Sequence, residues 1–134
     1  MTLAVIDQYR LERKDLFVDI DNVVSLSMER VRRWQGSKKA YTAAEVIQDK
    51  PVPGAADALR RLRTDYFIRF LTARGSYEDP FNVTQTWLDL NGFEYDELLV
   101  VDGPEAKVAH LSTQSILVDD FTLGHEKEDA FTGN

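Results

Sequence analysis

The chain has 134 residues, of which 43% are hydrophobic and 29% are charged; this profile excludes a disordered protein and fits one domain over residues 1–134. It contains no cysteine, which excludes disulfides, thiolate zinc sites and cysteine nucleophiles and makes a cytoplasmic location the expectation. The net charge of −7 disfavours nonspecific binding to nucleic-acid backbones, and no apolar run approaches the roughly 20 residues of a membrane span.

The first half of the chain predicts two strands and two helices. Residues 16–21 are a short apolar run that ends in carboxylates, as expected of a strand buried on both faces of a parallel sheet. The polar and aromatic stretch 22–50 is expected to form a flap or small insert, with a helix over 28–34. Propensity and period predict a helix over 55–62, and a second strand follows over 66–72.

The second half continues the alternation. A helix over 81–90, closed by Asn91-Gly92, precedes a strand over 97–101, a short helix over 105–111 and a strand over 115–118. Strands that alternate with helices indicate βαβ units. We therefore predict an α/β fold, a Rossmann-like doubly wound parallel sheet with helices on both faces and no large cap domain.

Polar side chains gather where three predicted strands end: Asp19 and Asp21, Thr72, and Asp119 and Asp120. In open α/β sheets ligands bind in the crevice beyond the carboxyl ends of the strands. Clustered carboxylates repel one another unless a cation or a shared proton is present, and hard oxygen ligands suit Mg²⁺. The alternative is that these carboxylates begin loops and face water.

Hydroxyl, backbone and ammonium groups complete the pattern. Thr72 is followed by Ala73-Arg74-Gly75, a turn whose N–H groups are suited to an anion, and Lys107 lies in the first turn of the helix after Pro104. Taken singly, a threonine after a strand is usually a helix cap or turn residue, and a lone lysine is usually a solvated charge.

These residues resemble the motifs of the haloacid dehalogenase-like superfamily. The segment Asp19-Ile20-Asp21-Asn22-Val23-Val24 is similar to its first motif, and Leu71-Thr72-Ala73-Arg74 is similar to its second. Lys107 is placed like the third motif, and Val118-Asp119-Asp120 is similar to the fourth. The resemblance extends over about residues 16–121, which is most of the chain.

The resemblance implies a Mg²⁺-dependent phosphohydrolase that cleaves phosphate monoesters. Asp19 would attack phosphorus and form an aspartyl-phosphate that water then hydrolyses. Asp21 would protonate the leaving oxygen and then act as base, so its surroundings are expected to raise its proton affinity. Members that cleave carbon–halogen bonds lack this second aspartate, which favours phosphoryl chemistry.

The resemblance also implies the other roles in the site. The Mg²⁺ ligands would be the Asp19 carboxylate, the Asp21 main-chain carbonyl and the pair Asp119 and Asp120, of which either binds the ion directly, with Asp120 slightly favoured. The phosphate-binding residues would be Thr72, Ala73 and Lys107. Substrate contacts are expected from Asn22 and Arg74.

The expected partner is a small phosphorylated substrate. The turn after the second strand, with Asp79 and the Trp87-Leu88 helix, looks similar to nucleotidase-like members and to the phosphatase part of polynucleotide kinases, so nucleotides or nucleic-acid terminal phosphates are candidates. Trp34, Tyr41 and Tyr77 either stack a base or, as is commoner, pack inside the fold. Arg30, Arg32 and Arg33 fit a solvated helix face better than a substrate contact.

The chain departs from the family pattern after Asp120. Family members continue with a helix and a further strand, whereas 121–134 is a short polar tail. A sheet edge left uncovered in this way is suited to a second copy of the chain, which predicts a homo-oligomer. Two other functions are alternatives: a catalytically silent binding or regulatory module of the same fold, and a Mg²⁺-binding response-regulator receiver. In a receiver the acidic pair precedes the phosphorylated aspartate by a whole βαβ unit, whereas here the paired motif comes first.

Overall fold

The computed structural model describes residues 13–112 and 114–119. Its centre is a four-stranded sheet in the order β3-β2-β1-β4, in which every pairing is parallel. The strands are β1 Lys14–Val18, β2 Tyr66–Thr72, β3 Glu97–Val100 and β4 Ile116–Val118. The predicted α/β fold with a parallel, Rossmann-like sheet is confirmed.

The strand order creates a topological switch point between β1 and β4. The chain moves from β1 to β2 to β3 in one direction and then crosses back to place β4 on the other side of β1. Because parallel crossovers are right-handed, the connections on either side of this reversal run over opposite faces of the sheet. A crevice therefore opens beyond the carboxyl ends of β1 and β4, where ligands bind in folds of this kind.

Helices and short helical turns connect the strands. The α-helices are α1 Met28–Arg33, α2 Ala43–Val46, α3 Ala55–Leu62 and α4 Pro80–Leu90, and two 3-10 helices span Lys38–Tyr41 and Pro104–His110. The helices predicted over 28–34, 55–62 and 81–90 are therefore confirmed to within one residue. The short helix predicted over 105–111 is a 3-10 helix.

The first strand ends earlier than predicted. We expected it over 16–21, but β1 stops at Val18. The backbone N–H of Asp19 still donates to the Val118 carbonyl at 2.9 Å, and the chain then turns away from the sheet. The two aspartates consequently lie in the turn that follows the strand.

The core lies between the sheet and α4. Trp87 is 1% exposed and stacks on Phe93 with ring centroids 5.6 Å apart, while Phe93 meets the edge of Phe70 in β2. The indole N–H of Trp87 donates to the main-chain carbonyl of Asp49 at 2.7 Å. This bond fastens the connection between β1 and α3 to the core. No helix among the described residues is long and apolar enough to cross a membrane.

Candidate active site

Asp19 and Asp21 flank a tight turn directly after β1. The carbonyl of Ile20, the residue between them, accepts the N–H groups of Val24 and Ser25, each at 3.0 Å. Ile20 itself is fully buried in the core. Anchoring the middle residue in this way fixes the positions of both carboxylates relative to the end of the strand.

Asn22 completes the turn and joins it to α1. Its φ of 64° is in the left-handed region, which asparagine tolerates better than most residues. Its side-chain oxygen accepts the N–H of Met28 at 3.1 Å and the hydroxyl of Ser27 at 3.3 Å. These two bonds show that the side-chain oxygen of Asn22 holds the turn. Asn22 also lines the cavity described below, and the expected substrate contact stays a prediction.

Asp19, Asp119 and Lys107 meet in the crevice at the switch point. Val18 and Val118 are paired in the parallel register, so the following residues, Asp19 and Asp119, come side by side. The Lys107 ammonium lies 3.2 Å from Asp19 Oδ1 and 3.7 Å from Asp119 Oδ1. Burial and the hydrogen-bonded neighbour Asp119 raise the pKa of Asp19 to about 8, against the opposing effect of Lys107.

Asp21 forms a two-point ion pair with Arg74. Asp21 Oδ1 lies 2.7 Å from Arg74 Nη2 and Oδ2 lies 3.1 Å from Nε, and Arg30 Nη2 approaches Oδ1 at 3.5 Å. Burial favours the neutral acid, but Arg74 and Arg30 outweigh it and lower the pKa of Asp21. The expectation that the surroundings raise its proton affinity is therefore wrong for the protein alone, because it overlooked both arginines.

Arg74 is a buried component of the site. It is 1% exposed, and its Nη1 donates to the Thr84 hydroxyl at 3.1 Å in addition to the bonds with Asp21. It is absent from the lining of the cavity described below. In the structure Arg74 contacts the Asp21 carboxylate, which lines the cavity, and the expected substrate contact stays a prediction.

Arg30 departs from the solvated helix face that we expected for the basic residues of α1. It is 2% exposed, its Nε lies 3.0 Å from Asp49 Oδ1, and its Nη1 donates to the Ala40 carbonyl. Arg32 and Arg33 are exposed, as expected. Sequence reasoning missed Asp49 altogether, because nothing near it in the chain indicates that it pairs with an arginine of α1.

The end of β2 contributes a buried hydroxyl. Thr72 is fully buried, and within the described part of the chain its Oγ1 has no hydrogen-bond partner. A buried hydroxyl without a partner costs about 1–3 kcal/mol, which a ligand oxygen would relieve. The register of Val18 with Phe70 puts Thr72 level with the turn that carries the aspartates, but Thr72, like Arg74, is absent from the lining of the cavity described below.

A cavity of about 280 Å³ brings most of the predicted site together. The polar and charged residues of its lining are Asp19, Asp21, Asn22, Ser27, Lys107 and Asp119, and the backbone of Ala73 also lines it. Another part is apolar or aromatic, formed by Met28, Val31, Tyr41, Tyr77 and Pro104. The remaining expected metal ligand, Asp120, lies outside the described residues. Among residues 13–112 and 114–119, no three acidic or histidine side chains are grouped closely enough to hold a metal by themselves.

The comparisons with known proteins bear on the fold. No family model and no curated protein matches the chain. Among solved structures, a chain of the Pnkp1/Rnl/Hen1 complex is similar, with a TM-score of 0.58 and 17% sequence identity. The match covers 88% of this chain and 43% of that chain, so this protein spans less than half of its neighbour. At this identity the likeness shows a shared α/β fold.

Proposed function

We propose that this protein is a Mg²⁺-dependent phosphohydrolase that cleaves phosphate monoesters through an aspartyl-phosphate on Asp19. The observation that carries the proposal is the meeting of the Asp19 carboxylate, the Lys107 ammonium and the Asp21 carboxylate on one cavity at the switch point of a parallel sheet. The resemblance of four motifs to the haloacid dehalogenase-like superfamily supports the same chemistry.

Asp19 is suited to the role of nucleophile because its carboxylate is held in one orientation. Its Oδ1 accepts the backbone N–H of Ile20 at 2.7 Å and lies beside Lys107. The nucleophile is the ionised form of Asp19, which in the protein alone predominates above its pKa of about 8. In the first step a carboxylate oxygen of Asp19 bonds to phosphorus, and the bond from phosphorus to the leaving oxygen breaks. In the second step a water oxygen attacks the same phosphorus, which releases phosphate and restores Asp19.

Asp21 carries the proton in both steps. With its pKa lowered by Arg74 and Arg30, it is ionised in the free protein and is ready to accept a proton from the attacking water. A phosphate group that arrives beside Asp21 adds negative charge, which raises the pKa and favours the acid form that the leaving oxygen needs. The arginine pair also keeps the carboxylate at one place throughout the cycle.

The remaining groups neutralise charge on the transferring phosphoryl group. Lys107 and the Thr72 hydroxyl would bind its oxygens, with the Ala73 backbone beside them. Asp19 and Asp119 would hold Mg²⁺, together with Asp120 and the Asp21 main-chain carbonyl as the resemblance implies. Two adjoining carboxylates in a partly buried crevice, with one ammonium between them, fit a hard divalent cation. The ion would supply positive charge where negative charge develops.

The substrate class that we propose is a nucleotide or a nucleic-acid terminal phosphate. The similarity of the second-motif turn to nucleotidase-like members and to the phosphatase part of polynucleotide kinases supports it. The aromatic part of the cavity lining is also compatible with a base.

The test is phosphate release in Mg²⁺ and in EDTA from a panel of an aryl phosphate, nucleoside 3′- and 5′-monophosphates, a 3′-phosphorylated oligonucleotide and sugar phosphates. We expect turnover that requires Mg²⁺ and falls by about 10³-fold or more in Asp19→Asn. Asp57→Asn, at an exposed helix position outside the cavity, is the matched control and should retain activity. Folded wild-type protein that binds Mg²⁺ but releases no phosphate would instead support a catalytically silent module.

A further inference from the structure

Tyr41 and Tyr77 lie together on the wall of the cavity. Their ring centroids are 5.0 Å apart and the ring planes are inclined at 53°. Both line the cavity, and Tyr41 is 40% exposed. Trp34, the third aromatic residue considered from the sequence, is absent from this lining; its indole N–H donates to Glu45 Oε1 at 2.7 Å. Two of the three aromatics therefore form one surface that faces the site.

Main-chain bonds hold the two segments that carry the tyrosines. The N–H of Glu78, next to Tyr77, donates to the Tyr41 carbonyl at 3.1 Å. The Glu78 carboxylate in turn accepts the N–H of Ala43 at 2.7 Å. These contacts join the loop after β2 to the insert before α3, so the tyrosine pair is a built feature of the fold.

Tyr77 is also tied to the catalytic carboxylate. The guanidinium carbons of Arg74 and Arg30 lie 5.4 Å and 5.5 Å from the centroid of its ring, within the range of cation–π attraction. The same two arginines bind Asp21. Arg74 and Arg30 thus contact both the Tyr77 ring and the Asp21 carboxylate, which fixes the separation of the ring from the carboxylate.

The charges of the lining residues define which group of a substrate can lie against Tyr41 and Tyr77. The charged side chains of the cavity are the three aspartates and Lys107, which the proposed chemistry assigns to the metal, the phosphoryl group and proton transfer. The rest of the lining carries no charge; besides the two tyrosines it consists of Asn22, Ser27, Met28, Val31, Ala73 and Pro104. A volume of about 280 Å³ lies just below the roughly 300–1,000 Å³ of ordinary ligand pockets. The leaving group that suits this space is therefore small, flat and uncharged.

We propose that Tyr41 and Tyr77 form the subsite for the nucleobase of the substrate, with Tyr41 as the specificity-determining ring. This inference rests on the proposed function and narrows its substrate to a phosphate monoester whose leaving group is a nucleoside. The base stacks on the exposed ring of Tyr41 while its phosphate lies at Asp19. The substrate is either a free nucleoside monophosphate or the last nucleotide of a nucleic acid. Both present the same base and phosphate to the two tyrosines and Asp19.

The test compares substrates that differ only in the base. We would measure kcat/KM for adenosine 3′- and 5′-monophosphates and for the methyl riboside 3- and 5-phosphates, in which a methyl group replaces the base. Wild-type protein should prefer the better adenosine isomer over its methyl riboside by roughly tenfold or more, the usual scale of base stacking. Tyr41→Ala should reduce this preference severalfold, and Tyr41→Phe should keep it, because the ring and not the hydroxyl stacks. Phe81→Ala, an exposed aromatic outside the cavity, should leave the preference unchanged.

A third arm uses an oligonucleotide that ends in the same phosphorylated adenosine. A higher kcat/KM than that of the mononucleotide would assign the source to nucleic-acid ends, and a lower one to free nucleotides; both support the subsite. Equal kcat/KM for the adenosine and methyl riboside substrates in wild-type protein, or an unchanged preference in Tyr41→Ala, would overturn it.

A binding measurement separates failure of the subsite from failure of the proposed function. We would titrate the nucleoside monophosphates into Asp19→Asn protein, with and without Tyr41→Ala. Binding that Tyr41→Ala weakens severalfold supports the subsite even where wild-type protein shows no turnover. Turnover that depends on Asp19, together with binding that Tyr41→Ala does not change, would retain the hydrolase and overturn the subsite.

Discussion

Arg74 and Asp21 face each other with two parallel contacts, at 2.7 Å and 3.1 Å, and the arginine is almost wholly buried. A fork-to-fork pair of this kind sets direction as well as charge, which a lysine does not reproduce. Asp21 lines the cavity whereas Arg74 does not, so the arginine holds the carboxylate from outside the lining. Under the proposed function, Arg74 would therefore contribute to catalysis through the position of the Asp21 carboxylate.

Arg74→Lys keeps the charge but removes the fork. We expect kcat to fall by about 10²-fold, since Asp21 loses its fixed orientation, and the free energy of unfolding to fall by about 2 kcal/mol, below the loss expected when one partner of a buried pair is deleted. Steady-state kinetics and urea unfolding measure the two effects. Arg61→Lys, at an exposed pair with Asp57, should change neither by a measurable amount. Equal effects at both positions would contradict the assigned role.

Asp19→Asn should stabilise the metal-free protein. The pKa of Asp19 is raised from 3.8 to about 8, so between these values the folded state binds more protons than the unfolded state and stability falls as the pH rises. Asparagine removes this penalty, and the advantage of the variant should grow from pH 5 to pH 8. Thermal unfolding at several pH values measures it. Mg²⁺ should raise the melting temperature of wild-type protein more than that of the variant.

Asp96→Asn tests a structural carboxylate away from the cavity. Asp96 Oδ1 lies 2.9 Å from Arg63 Nη2 and its Oδ2 accepts the Ile68 N–H at 2.9 Å. Burial favours the neutral acid, but these partners outweigh it and lower its pKa. Its stabilisation is therefore present at neutral pH and is lost as the pH falls below 3.8, the usual pKa of aspartate. We expect a loss of about 1–2 kcal/mol at pH 7, measured by urea unfolding, that shrinks in acid. The exposed Asp65→Asn is the control.

Gly75→Ala should disturb the turn that carries Ala73 and Arg74. A β-carbon at Gly75 would lie 2.8 Å from Asp102 Cα and 2.9 Å from the Val101 carbonyl oxygen, both main-chain atoms that have little room to move. We expect a destabilisation of about 1–3 kcal/mol with a loss of activity. At Gly103 the atoms closest to an added β-carbon belong to the flexible Glu105 side chain, so Gly103→Ala should be milder. Similar unfolding curves for the two variants would contradict this.

Trp87→Phe removes the indole donor to the Asp49 carbonyl while keeping an aromatic ring against Phe93. We expect a destabilisation of about 1–3 kcal/mol, because the bond and part of the buried volume are lost. Asp49 also holds Arg30, so kcat should fall as well. Trp34→Phe removes a similar bond, to Glu45, at a partly exposed position and should cost less. Urea unfolding and kinetics on both variants make the comparison.

The sheet was predictable because each strand is a short run of mainly apolar residues that can be recognised without knowing its neighbours in space. Residues 66–72 are a continuous apolar run with a single arginine, and the helix 55–62 has its apolar residues on one side; both appear with the predicted bounds. The end of β1 was misplaced because Ile20 is as apolar as a strand residue, although it is buried in a turn. Hydrophobicity reports burial, and it does not separate a strand from a buried turn.

The arrangement of charges at the site was less predictable. Asp21 was identified from the sequence, but its two arginines were not assigned to it, because the pairing joins residues of α1 and of the loop after β2. The meeting of Tyr41 with Tyr77 likewise depends on how the insert folds back on that loop. Such contacts depend on the assembled tertiary structure, and the hydrophobic periodicity of a single segment does not predict them.

The position of Asp119 has a thermodynamic consequence. It follows β4, a strand of three residues at one edge of the described sheet, whose side chains are all more than a third exposed. A short outer strand of this kind opens more readily than the central ones, so amide hydrogens there should exchange early. Any ligand that bridges Asp19 and Asp119 adds its binding free energy to the docking of that strand. Occupancy of the cavity and the order of β4 are then a single linked equilibrium.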